Sequence, residues 1–152
     1  FFGIAEQEGL DCMTGGHRLD RRGYFVAPTV YRDVPPDMRI AREEIFGPVV
    51  TLFRFDGEER AVHMANDTRY GLAAGVWTDD ARRAHRLIHR LRVGSVWVNN
   101  YRVLGHTLPF GGYGQSGIGR EMGADALDAY TETKSVWIDT GNEIAFKVGM
   151  GD

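Results

Sequence analysis

The chain has 152 residues and a formal net charge of −3 at pH 7, with 43% apolar and 26% charged residues. This is the size and composition of one packed domain, without the positive balance that a polyanion partner requires. No run of about 18 apolar residues is present, so no membrane-crossing helix is expected; no basic segment leads into a long apolar run, so no secretory signal is expected; and one cysteine, Cys12, excludes an internal disulfide framework and fits a reducing, cytoplasmic setting.

Phe1-Phe2-Gly3-Ile4 is apolar from the first residue and carries no starting Met. It reads as the interior of a helix whose earlier part lies upstream, with a processed start as the alternative. Ala5 to Gly9 reads as the end of that helix, Gly9 supplying the C-cap. Thr14-Gly15-Gly16 reads as a turn, Tyr24–Val26 and Thr29–Tyr31 as short β-rich runs around Pro28, and Met38–Glu43 as a helical turn broken by Gly47-Pro48. Val49–Phe53 is a strong strand, Glu58–Asn66 a helix, and Leu72–Trp77 a second strand of buried type. Thr78 or Asp79 caps the next helix, in which Ala84, Leu87, Ile88 and Leu91 form one apolar stripe, and Gly94 ends it. Val96–Val98 is a third strand. Strand and helix alternate from Val49 to Val98 with short connections, which predicts βαβ units and a parallel sheet flanked by helices. Tyr101–Gly119 is a long, Gly-rich, aperiodic loop of the kind that carries function. Glu121–Thr131 is predicted as a helix and Ser135–Asp139 as a last strand, followed by a polar, Gly-rich tail.

Several motifs point to chemistry that their context does not support. Gly112-Tyr113-Gly114-Gln115-Ser116-Gly117 satisfies G-x-G-x-x-G, with Asp139 near the offset of a ribose-binding acid. That fingerprint needs a strand running straight into its first glycine, and here Leu108-Pro109-Phe110 precedes it. A tight loop needing backbone room is the better reading. The arginines at 82, 83, 86, 90 and 92, with His85 and His89, suggest nucleic-acid binding, yet they lie off an apolar stripe, as on a solvated helix face or a subunit contact. His85 and His89 share a face at i and i+4, but no third ligand is near and the surroundings are cationic, so no metal is expected. Glu43-Glu44 diverge as helical neighbours, which makes them a poor acid/base pair, although one of them can still point into a site. Cys12 has no adjoining His, and Asp11 beside it opposes thiolate formation, so it reads as a small core or surface residue.

Six segments in one order carry a resemblance. They are Glu43-Glu44-Ile45-Phe46-Gly47-Pro48-Val49, Asn66 to Ala73, Gly94-Ser95-Val96-Trp97-Val98-Asn99, Pro109 to Tyr113, Ser116 to Glu121, and Tyr130 to Val136. In this order they resemble the C-terminal portion of the NAD(P)-dependent aldehyde dehydrogenases over nearly the whole chain. The resemblance implies an α/β fold: residues 1–133 as the C-terminal part of a catalytic domain, and residues 134–152 as an oligomerisation strand and tail. It implies NAD or NADP as cofactor, an aldehyde as substrate, and a homo-oligomer as the assembly. It also implies that the nucleophilic Cys, the general-base Glu, the oxyanion-hole Asn and the cofactor domain lie upstream, so that this chain alone is expected to be inactive.

By motif match, Glu44 would accept hydrogen bonds from the nicotinamide ribose hydroxyls, and Phe46 would pack beside the nicotinamide. Leu104 and Phe110 would line the substrate tunnel, with Tyr101 and His106 as further wall candidates. Glu121 matches a buried acid at the tunnel's inner end, an auxiliary catalytic role. The carbonyls of Gly114 and Gly117 match positions that touch a monovalent cation in some relatives. Against the enzyme reading stand a non-catalytic module that pairs through its last strand and a nucleic-acid binder using the Arg-rich helix.

Overall fold

The computed structural model describes residues 1–141; the Gly-rich tail read at 142–152 lies outside the described residues. Helix α1 (Phe2–Gln7) ends as expected, the Glu8 N–H donating to the Ile4 carbonyl at 3.0 Å and Gly9 turning the chain with φ +67°. Strand β1 (Asp11–Thr14) follows, where a turn alone was expected. All four of its residues are exposed, so it has none of the apolar alternation by which strands announce themselves. It pairs antiparallel with β2 (Thr29–Arg32), Cys12 opposite Tyr31, with a register irregularity between Cys12 and Thr14. The run Tyr24–Val26 contributes only a single bridge, Val26 to Arg18.

β2 pairs parallel with β3 (Val49–Leu52), in register from Thr29↔Val49 to Arg32↔Leu52. Between them lies the one-turn helix α2 (Arg39–Arg42). The core sits here: Ala5, Tyr31, Val34 and Ile40 are buried together, with Phe2, Leu10, Met38 and Val49 packed against them. Each large side chain removed from water in this way is worth about 1.5–3 kcal/mol. Burial also pushes the Tyr31 phenol above its ordinary pKa, with smaller contributions from Cys12 and Glu6.

The second half runs α3 (Gly57–Asn66), β4 (Ala73–Val76), α4 (Ala81–Arg90) and β5 (Ser95–Val98), β4 and β5 being parallel in register from Ala73↔Ser95 to Val76↔Val98. The alternation thus yields parallel pairing, but not one continuous sheet. Among the described residues β3 and β4 do not pair; each ends its own sheet. A cavity of about 850 Å³ opens between them, lined by Leu52, Phe53, Val62, Val76, Trp77 and Leu87. The strand expected to be buried at Leu72–Trp77 is bare at both ends, Leu72 and Trp77 both being exposed. Alternation reports that a strand is flanked by helices; it does not report which strand lies beside it in space.

Helix α4 is capped one residue later than expected, by Asp80, whose carboxylate accepts from the Arg82 and Arg83 N–H groups at 2.8 and 3.2 Å. Its arginines face α3. Arg86 donates to both oxygens of Glu58 at 3.1 and 2.9 Å, and Arg90 to both oxygens of Glu59 at 2.6 and 2.5 Å. The basic face is thus largely spent on an interhelical contact. Asn66 closes the pair, donating to the Arg90 carbonyl and accepting from the Arg92 N–H, both at 2.8 Å.

One expectation near the C-terminus fails. Glu121–Thr131 is not an α-helix: only a short 3₁₀ helix forms, at Ala124–Ala129. Met122 and Gly123 both take φ +62°, a left-handed pair that a helical start cannot contain. Ser135–Asp139, read as a last strand, pairs with no strand among the described residues. A strand is defined by ladder hydrogen bonds, and no neighbouring strand is offered to this segment.

Candidate functional site

The Gly-rich segment after β5 is folded back onto the β4–β5 unit by its backbone. The Gly71 carbonyl accepts from the N–H groups of Gly94 (3.0 Å) and Tyr113 (2.9 Å), the Gly71 N–H donates to Ser116 Oγ (3.0 Å), and the Gln115 N–H donates to the Arg69 carbonyl (2.9 Å). Side chains are excluded from this seam. A Cβ on Gly94 would lie 1.7 Å from the Gly111 carbonyl oxygen, and one on Gly114 would lie 2.6 Å from that of Arg69. This disposes of the dinucleotide reading of Gly112–Gly117. The glycines permit backbone-to-backbone packing, no strand enters the first of them, and only a single 3₁₀ turn, Gly114–Ser116, follows.

Phe110 and Glu121 are brought together. Their backbones exchange two hydrogen bonds of 2.7 Å, closing residues 111–120 into a loop. The Gly123 N–H bonds the His106 carbonyl at 3.0 Å, and Trp97 Nε1–H bonds the Val103 carbonyl at 2.7 Å, so the segment carrying Tyr101, Leu104, His106 and Phe110 is pinned at both ends. Phe110 is half-buried, whereas Tyr101, Leu104 and His106 are exposed. Glu121 is exposed as well, so the burial implied for its carboxyl is not provided by the chain's own described residues. Gly114 and Gly117 bracket the 3₁₀ turn, and the Gly117 N–H donates to the Gly114 carbonyl at 3.4 Å. Among the described residues no three His, Cys, Asp or Glu side chains gather as a metal site.

Glu44 and Phe46 belong to a different place, the turn between α2 and β3, and no hydrogen bond among the described residues links them to the loop of residues 101–121. The local structure separates the two adjacent carboxylates. Glu43 is held by Arg39 at 2.9 Å, a pair one helical turn apart, while Glu44 is exposed and forms no ion pair among the described residues. The Gly47 N–H donates to the Ile45 carbonyl at 2.7 Å, and this tight turn throws Phe46 outward until its side chain is 97% exposed. The ring and the Glu44 carboxylate are both open to solvent among the described residues. Glu44 can accept two hydrogen bonds from a diol, and Phe46 offers a flat face to a heteroaromatic ring, so the residues present fit a nicotinamide nucleoside.

Sequence reasoning missed Asn99. Its side chain accepts from the Thr78 N–H and donates to the Thr78 carbonyl, both at 2.9 Å, locking the end of β5 to the end of β4 from a left-handed backbone of φ +52°. An Asn directly after a strand, where the chain must turn, was the available signal. Cys12, exposed on β1, donates its thiol to the Thr14 carbonyl at 3.3 Å and belongs to neither group of site residues.

Comparison with known proteins identifies the family. Residues 1–136 match the aldehyde dehydrogenase family. The chain is 47% identical over 146 residues to a betaine aldehyde dehydrogenase of Mesorhizobium japonicum, covering 93% of this chain and 30% of that protein. It is 47% identical over 139 residues to an aldehyde dehydrogenase of Emericella nidulans, covering 91% of this chain and 28% of that protein. The NAD+ complex of an aldehyde dehydrogenase from Bacillus cereus superposes with a TM-score of 0.87 at 49% identity, covering 92% of this chain and 28% of that one. The chain therefore spans less than a third of the relatives it matches, and it belongs to the aldehyde dehydrogenase family.

Proposed function

We propose that this chain is the nicotinamide-ribose clamp and tunnel-wall portion of a cytoplasmic enzyme that oxidises an aldehyde to a carboxylic acid with NAD or NADP. The observation that carries the proposal is the Glu44–Phe46 turn: a carboxylate without an ion pair among the described residues, two positions from an almost fully bare aromatic ring. The nicotinamide, when bound, accepts the hydride that leaves the aldehyde carbon. Glu44 holds the ribose diol and so fixes where the ring sits; Phe46 restricts the ring to one face. Positioning of this kind accounts for much of the barrier lowering in a two-substrate reaction. Leu104 and Phe110 keep the tunnel apolar, and Glu121, tied by its backbone to Phe110, is an auxiliary acid near the same wall. The cavity between β3 and β4 is the surface that the rest of the enzyme covers.

The exposed run Val136-Trp137-Ile138 supports assembly. An apolar extended segment without a ladder partner is a hazard unless another strand takes it up, and a neighbouring subunit of the same enzyme is the proposed partner. A non-catalytic module pairing through this segment is the rival reading.

The test is Glu44→Gln in the complete enzyme that carries this chain. Hydrogen bonds to a charged group contribute about 1.5–3 kcal/mol. The expected outcome is a rise of about 10-fold or more in the KM for the dinucleotide, with aldehyde KM little changed. A complete enzyme that neither binds a nicotinamide dinucleotide nor oxidises an aldehyde would favour the module.

A further inference from the structure

Arg102 is the one permanent cation in the segment from Asn99 to Tyr113, which contains no Asp or Glu. Its backbone is left-handed, φ +61°, an uncommon state for a side chain of this size. The residues around it enforce that state: Asn99 is clamped to Thr78, the Tyr101 N–H is bonded to Asn100 Oδ1 at 2.7 Å, and the Val103 carbonyl is held by Trp97. The guanidinium carbon stands 5.5 Å from the centroid of the Tyr101 ring, and that ring in turn packs edge-on against Trp97 (5.4 Å between centroids) and tilted against Trp77 (6.4 Å). A guanidinium resting on an aromatic face keeps its N–H fork free in the ring plane. Among the described residues no carboxylate lies within ion-pair distance of it, in contrast to Arg83, Arg86 and Arg90, which all reach Glu58. The described residues have thus ordered a cation two residues from Leu104 without giving it a counter-ion.

From this we infer that Arg102 is a specificity-determining residue that binds the distal carboxylate of an aldehyde substrate bearing an acid at its far end. The inference rests on the reading of Leu104 and Phe110 as tunnel wall. An Arg–carboxylate pair is bidentate and charge-assisted, so it selects by geometry as well as charge, and the same cation disfavours an aldehyde with a quaternary ammonium group. The apolar side chains of Val103, Leu104 and Phe110 suit the short methylene chain between the two ends.

The experiment measures kcat/KM of the complete enzyme for 4-oxobutanoate, butanal and trimethylammonioacetaldehyde, three short aldehydes with a negative, absent and positive far end. The expected order is anionic, neutral, cationic, with the first preferred over butanal by at least about 10-fold. In Arg102→Gln the anionic-to-neutral ratio falls by about 10-fold or more, Arg102→Lys recovers part of it, and Arg22→Gln, on an exposed loop elsewhere, leaves it unchanged. Rising salt narrows the wild-type ratio. Because the wild-type ratio and its salt dependence are read without any variant, a misfolded Arg102→Gln protein does not remove the test. Ready oxidation of butanal or the cationic aldehyde, with no preference for 4-oxobutanoate, overturns the role of Arg102 and leaves the aldehyde reading standing. Failure of the folded enzyme to oxidise any of the three overturns that reading and this inference with it.

Discussion

Around β2 the chain closes its own core: Tyr31, Val34 and Ile40 are each 3% exposed, and α1, α2 and β3 pack onto them. Around β4 and β5 it does not. No residue of α4 is buried, Trp77 and Leu72 stand open, and what holds the unit is backbone-to-backbone contact through Gly71, Gly94 and Gly111 together with bonds made by Asn66, Asn99 and Ser116. The first region is stabilised by apolar burial that its own residues complete. The second is shaped by hydrogen bonds and steric fit, and its apolar surface faces the cavity beside β3. The region that keeps bare surface is also the one that presents the loop of residues 101–121. A pocket shared with another part of a polypeptide needs a wall that is held in shape before it is covered.

The largest break in this comparison is expected from Gly94→Ala. The added methyl would sit 1.7 Å from the Gly111 carbonyl oxygen, a collision with backbone that no rotamer relieves. A loss of about 3 kcal/mol or more follows from such overpacking. Hydrogen exchange in the complete enzyme is expected to rise through β5 and residues 110–117 while β2 stays protected; equal loosening of β2 would mean the two regions are one cooperative unit.

Ile40→Ala is the converse. It empties part of the cluster formed with Ala5, Tyr31 and Val34, and a cavity of that kind costs about 2–4 kcal/mol. Exchange is expected to rise around β2 and α1, with the Glu44–Phe46 turn loosening next because it joins α2 to β3. Measured dinucleotide affinity therefore falls more than the preference among aldehydes, which separates the effect from that of Arg102→Gln.

The smallest effects belong to the surface ion pairs and the helix cap. The Arg86 and Arg90 guanidinium groups hold Glu58 and Glu59 below the usual carboxylate range, and the Arg83 and Arg82 N–H groups do the same for Asp80. A carboxyl depressed on folding adds stability above its unfolded pKa and loses it as pH falls through the folded value. The melting temperature of the complete enzyme is thus expected to drop modestly on acidification below the usual carboxylate range. Glu58→Gln and Asp80→Ala should each flatten that dependence slightly, and salt should weaken the Glu58 effect because its partner Arg86 is exposed and Glu58 itself is only partly buried. A pH dependence indifferent to both substitutions would remove the α3–α4 pairs from the account of stability.

How much of this was legible in the chain follows a physical line. Helices α1, α3 and α4 and strands β3, β4 and β5 were readable because each carries its own local signal: a 3.6-residue stripe, a β-branched run, an acidic cap or a terminal glycine. β1 was not, because an all-exposed edge strand exists only through its partner. The failed helix after Glu121 shows the same limit from the other side. Its residues suit a helix, but the Phe110–Glu121 bridge and the left-handed pair Met122–Gly123 commit the backbone elsewhere. For the site, the ordered motifs from Glu43 to Val136 named the family and pointed to Glu44, Phe46, Leu104 and Phe110 as residues to watch.

The sequence by itself determined the family, most of the element types and the residue types available for the chemistry, because these depend on local pattern and on side chains being present at all. The pairing of Glu43 with Arg39, which leaves Glu44 without an ion pair among the described residues, was within reach of the sequence because i,i+4 neighbours share a helix face. Only the tertiary structure decided that the parallel strands fall into two sheets with a cavity between them, and that Arg102 lies 5.5 Å from the Tyr101 ring with no carboxylate beside it among the described residues. Strand neighbours, and the carboxylates that do or do not surround a cation, depend on groups brought close by the fold, and no periodicity along the chain encodes the distance between them.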